Sequence, residues 1–106
     1  MSSEDQILVD HQGRPIRLTA ERWRHILEHP EMVEQRFRLA ETLADPEVVI
    51  ATEKDSVVHA YHRLYESTPV TRKYMVVAVK ILGEDAFILT AYFTSQVKKG
   101  STIWLK

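Results

Sequence analysis

Cysteine is absent from this 106-residue chain. That absence removes disulfides, thiolate metal sites, iron–sulfur clusters and thiol nucleophiles together, and it fits a reducing compartment. Glycine and proline are scarce, at 3 and 4 residues, so the chain is neither fibrous nor a low-complexity linker. No apolar run approaches the roughly 18 residues of a membrane-spanning helix, and MSSEDQILVD opens with acids where a secretory signal would carry a basic and then an apolar stretch. The expectation is a cytoplasmic protein with no membrane partner. A basic excess is missing too. The formal net charge of −1 argues against a domain that coats nucleic acid by bulk charge, while leaving room for a local basic site.

What is present is the composition of one globular domain over residues 1–106, with 44% hydrophobic and 27% charged residues and enough length for a single core. Residues 6–18 read as a short extended lead-in, with Gly13-Arg14-Pro15 as a turn. Thr19 offers an N-cap, and Trp23, Ile26 and Leu27 then fall at i, i+3, i+4, with Glu21 where the helix dipole favours an acid. Pro30 ends or kinks that helix. Val33, Phe37, Ala40 and Leu43 define a second amphipathic helix, which Asp45-Pro46 stops.

Beyond Pro46 the apolar period changes from 3.6 to β-rich runs: EVVIAT, SVVHAYHRLY, KYMVVAVKIL and AFILTAYFT, with a short edge strand at Thr102–Leu105. Short separators favour antiparallel neighbours. The fold class expected is therefore α+β: two N-terminal helices packed on one face of a four-stranded antiparallel meander sheet. KYMVVAVKIL is apolar on both faces, which suits a central strand.

Alternation sorts the strand residues by face. In the last long run Phe87, Leu89, Ala91 and Phe93 should meet the helices, leaving Ile88, Thr90, Tyr92 and Thr94 outside. In the second run Tyr61, Arg63 and Tyr65 share the polar face. If the two polar faces coincide, Tyr61, Arg63, Tyr65, Thr90, Tyr92 and Thr94 form one surface, with Lys80 beside it, equipped to bind and cleave RNA. The competing reading is the ordinary solvated face of a half-exposed sheet. Lys98 and Lys99 lie in a stretch, Ser95 to Lys106, with no acid, a place for a phosphate or simply a solvated loop. His59 and His62 point to opposite faces, so one of them is structural. His25 and His29, at i, i+4, could share a metal or do acid–base work, although position 26 is Ile where a zincin needs Glu.

Taken in order, RLTAERWRHILEHPEM, ETLADPEVV, YHRLY, KYMVVAVK, FILTAYFT and KKG resemble the phage- and toxin-associated nuclease domains grouped with barnase, EndoU, the colicin E5 and D tRNases and RelE. The resemblance spans roughly residues 16–104. It implies a metal-independent endoribonuclease with no cofactor, its site on the sheet face away from the helices, in which a 2′-hydroxyl attacks the adjacent phosphate. It also implies RNA, tRNA or mRNA, as substrate and an antitoxin or immunity protein as partner. Carried onto this chain, it makes His25 or His29 the acid–base group, Arg63 and Lys80 stabilisers of the phosphorane, and Thr90 and Tyr92 positioning or proton-donating residues. Tyr61, Lys80, Thr94, Lys98 and Lys99 would hold the RNA. A non-catalytic module binding RNA or protein on the same face is the alternative.

Overall fold

A computed structural model describes residues 5–106 of the chain. Two short strands, β1 (Gln6–Val9) and β2 (Pro15–Leu18), precede α1 (Ala20–Ile26) and a turn of 3-10 helix at Pro30–Met32. Then follow α2 (Arg36–Ala44), β3 (Val48–Thr52), β4 (Val58–Tyr65), β5 (Lys73–Leu82), β6 (Asp85–Thr94) and β7 (Gly100–Leu105). The seven strands form one sheet in the order β1-β2-β6-β5-β4-β3-β7. All neighbours are antiparallel except β2 and β6, which are parallel at Arg17 and Phe87.

This overturns the four-stranded antiparallel meander. The sheet is mixed and seven-stranded, and the helices are a minor part of the chain. The lead-in is a hairpin that extends the sheet beyond β6, a placement set by a single long-range parallel pairing that no local pattern announces. β5 is the middle strand, as its two apolar faces require.

Local chemistry explains the helix ends. The Thr19 hydroxyl accepts the Arg22 N–H at 3.1 Å, so Thr19 is the N-cap of α1. The second helix begins only at Arg36, because Pro30 and the left-handed Glu34 (φ 66°) interrupt the chain before it. Its buried positions are Leu39, Thr42 and Leu43, whereas Val33 and Phe37 of the expected stripe are exposed.

The core lies between the helices and one face of the sheet. Ile26, Met32, Leu39 and Leu43 pack there on Ile16, Leu18, Val49, Tyr61, Met75, Val77, Val79, Ile88 and Ala91. Opposite partners share a face, so the Val49–Tyr61–Val77–Ala91 row fixes the covered side. In β6 the register shifts opposite Ala78 and Val79, leaving Leu89 as an extra residue. The bulge inverts the alternation. Ile88 therefore turns into the core and Phe87 turns out of it, where the Arg17 guanidinium stands 5.5 Å from its ring centroid.

Two glycines are required by geometry. Gly83, at φ 61°, opens the two-residue turn between β5 and β6. Gly100 begins β7 so close to the Ala51 carbonyl of β3 that a Cβ has no room.

Candidate functional site: a strapped cleft on the open face

β6 and β7 are separated in the sheet by β5, β4 and β3. Only Ser95–Lys99 join them, running from the Tyr74 end of β5, opposite Thr94, to the Thr52 end of β3, opposite Gly100. The segment therefore crosses the sheet as a strap. It crosses the face away from the helices, since its Lys98 N–H donates to Nε2 of His62, whose partners Val48 and Val76 lie on that side with Tyr92, the partner of Val76.

His62 is fully buried. Its Nδ1 lies 2.9 Å from the Ala60 carbonyl and its Nε2 accepts from Lys98 at 3.0 Å, which assigns the proton to Nδ1 and makes the ring neutral. Burial pushes its pKa below the ordinary histidine value. Of the two histidines on this strand, His62 is the structural one.

Between the strap and the β3–β4 turn lies a cleft of about 480 Å³. Val58, Ala60 and Ala78 form its apolar floor. Thr90 and Tyr92 stand along one wall, Thr52, Glu53, Lys54 and Asp55 along the other, and Lys98 and Lys99 reach in from the strap. The Lys98 ammonium lies 5.5 Å from the Tyr92 ring centroid, a cation–π contact that fixes both groups. The Asp55 carboxylate is engaged by the Val57 N–H at 3.2 Å, and the Asp55 carbonyl accepts from the Thr52 hydroxyl at 2.7 Å. Those bonds hold the turn, and among the described residues the exposed Glu53 carboxylate of the cleft is the one with no hydrogen bond.

The expected single polar surface is thereby divided. Thr90, Tyr92, Thr94, Lys80, Lys98 and Lys99 lie on the open side, Lys80 and Thr94 at neighbouring positions just outside the cleft lining. Tyr61, Arg63 and Tyr65 face the helices instead, opposite Val77, Met75 and Lys73. Tyr61 is buried, and its hydroxyl donates to Asp10 Oδ2 at 2.7 Å. Arg63 bonds both the Asp45 carboxylate, at 2.7 Å, and the Asp45 carbonyl, at 2.9 Å, closing the end of α2. The Tyr65 hydroxyl donates to Glu41 at 2.7 Å, and burial followed by that carboxylate pushes its pKa up to about 12. These three side chains fasten helix to sheet. The bulge and the in-out phase of β4 relative to β6 depend on pairing partners, which is why the two polar stripes were not separable from alternation alone.

His25 lies on α1 but His29 lies beyond its end, so the two are not an i, i+4 pair on one helix, and both stay apart from the cleft residues. Half-exposed His25 sits 3.2 Å from Glu28, and half-exposed His29 sits 3.9 Å from Glu31. Neither lines the cleft. Among the described residues no group of three or more His, Cys, Asp or Glu is arranged to hold a metal ion. Among the described residues, too, no helix is long and apolar enough to cross a membrane.

Reading the sequence missed Glu53, Lys54 and Asp55, which look like any charged turn until the strap places lysines opposite them. Compared with models of protein families, with curated proteins and with solved structures, the chain matches none.

Proposed function

We propose that the chain acts on RNA at the strapped cleft, as an endoribonuclease domain of the toxin- or phage-associated type that its sequence resembles. The observation that carries this reading is the convergence of lysines, hydroxyls and a carboxylate on one open surface between strap and turn. Attack by a 2′-hydroxyl needs a base, a proton donor for the leaving oxygen and positive charge for the phosphorane. Here Glu53 is the base, Lys98 and Lys99 supply the charge, and Tyr92 and Thr90 position the ribose phosphate or donate the proton. The small floor admits a backbone, and the Tyr92 ring offers a face for a base. His25, His29 and Arg63 have no part in this scheme.

The second reading is binding without cleavage, by a module that holds RNA on the same face. It is favoured by His62, the imidazole bonded to the strap, which is buried and has both ring nitrogens engaged, by the Ala60 carbonyl and the Lys98 N–H. On either reading a protein that filled the cleft would neutralise it, the natural role for an antitoxin or immunity partner.

End-labelled tRNA and total RNA, incubated with the protein in EDTA, separate the two. Cleavage is expected to give 2′,3′-cyclic phosphate and 5′-hydroxyl ends, reduced about a hundredfold or more in Glu53→Gln, the scale of general acid–base catalysis. Intact RNA with retained binding would leave the module reading. In Lys98→Ala/Lys99→Ala, binding to single-stranded RNA should lose about 1.4 units of salt slope, two phosphate contacts at about 0.7 each. Absence of both binding and cleavage in the parent protein would overturn both.

A further inference from the structure

On the opposite side of the sheet, where the β1–β2 turn folds over β3 and β4, a second cavity of about 180 Å³ is walled by His11, Arg14, His59, Tyr61 and Trp104. We propose that it is a binding site for a phosphate-sized oxyanion, held by the Arg14 guanidinium and the His11 and His59 imidazoles. Size makes the first selection. Pockets for drug-sized ligands start at about 300 Å³, so this one suits a tetrahedral anion and excludes a whole nucleotide.

The lining makes the second selection. Three nitrogen-donor side chains converge from two separate stretches of chain, the β1–β2 turn and β4. Arg14 is half-buried, and among the described residues its guanidinium has no hydrogen-bond or ion-pair partner, so its fork of donors is uncommitted. Asp10, the acid of the same turn, does not claim it. Asp10 is buried, its Oδ1 accepts the N–H groups of Gln12 and Arg14 at 2.9 Å each, and its Oδ2 accepts the Tyr61 hydroxyl. Asp10 thus shapes the turn that presents Arg14. The His11 ring is set by Trp104, with centroids 4.3 Å apart, and by the edge of Tyr61. Burial and then the charge of Arg14 push the His59 pKa below its ordinary value, and an incoming anion would favour its protonation and gain a further charged donor.

The oxyanion could belong to free phosphate or to a terminal phosphate on RNA. The experiment titrates isotopically labelled protein with potassium phosphate, against potassium chloride at matched ionic strength, following the imidazole nitrogens of His11 and His59. Saturable shifts at both rings are expected with phosphate only. Arg14→Met, which keeps the stem and removes the fork, should weaken binding about tenfold, the value of one charge-assisted hydrogen bond. Arg14→Lys should recover part of it. Shifts equal in chloride, or an Arg14→Met protein of unchanged fold that titrates like the parent, would overturn the site. A 5′-phosphorylated oligonucleotide that binds more tightly than its 5′-hydroxyl twin and than phosphate assigns the site to an RNA end, and the reverse order assigns it to the small anion.

Discussion

The two faces of the sheet are covered by different means. On one, α1, α2 and the Pro30–Met32 turn bring Ile26, Leu39, Leu43 and Met32 down onto a continuous apolar surface. On the other, a five-residue strap is bonded to the imidazole of His62 beside a small buried cluster of Ile50, Ala60 and Val76. The first face derives its stability from area removed from water, so even its polar groups, Tyr61, Arg63 and Tyr65, are tied into the packing. The second leaves hydroxyls and ammonium groups available for a ligand. A domain this small can free one face for recognition only because the other completes the core.

Stability measurements test that contrast most strongly. Met75→Ala, beneath the helices and fully buried, should cost about 2–5 kcal/mol in urea unfolding. Thr90→Ala, on the same sheet but in the cleft wall, should stay within about 0.5 kcal/mol. Comparable losses would mean that the open face is as structural as the covered one.

A smaller effect probes the strap. His62→Gln removes an imidazole that holds the Ala60 carbonyl and the Lys98 N–H, at a cost of about 1–3 kcal/mol. The pH dependence has a definite sign. The native pKa of His62 lies below its unfolded value near 6.5, so below that pH the native state binds fewer protons than the unfolded one. This contribution is full above about pH 6.5 and is lost as pH falls through the native pKa. His59 shifts the same way, while Asp45, lowered by Lys106 and then Arg63, acts only in more acidic solution. Unfolding midpoints between pH 5 and 8 should therefore fall less steeply in His62→Gln than in the parent. Parallel curves would show that the buried ring is not the titrating group.

How much of this was legible in the residues follows from which signals are local. Thr19, the stop at Asp45-Pro46 and the central position of KYMVVAVKIL rest on capping, proline geometry and apolar runs, all properties of neighbours in sequence. The β1–β2 hairpin beside β6, the Leu89 bulge and the crossing of the strap are set by pairing between distant segments. A one-residue bulge moves Ile88 and Phe87 to opposite faces, and alternation cannot register it. The lysines and hydroxyls of the cleft were readable as residue types. Their separation from Arg63 was not.

Arg63 gives the sharpest discrimination for the least disturbance. If the site followed the polar stripe of β4, Arg63→Ala would remove a phosphorane stabiliser and abolish cleavage. In the fold its guanidinium points to the helix side, bonded to Asp45 and lying 5.5 Å from the Tyr65 ring centroid. Losing a largely solvent-screened ion pair should cost about 0–1 kcal/mol, while Lys106 remains paired with Asp45 at 2.9 Å. RNA binding and cleavage by Arg63→Ala should then equal those of the parent at temperatures where both are folded. An intact but inactive Arg63→Ala protein would move the chemistry to the helix side, where His59 and Arg14 already share a cavity, and the strapped cleft would be left as a surface for holding RNA.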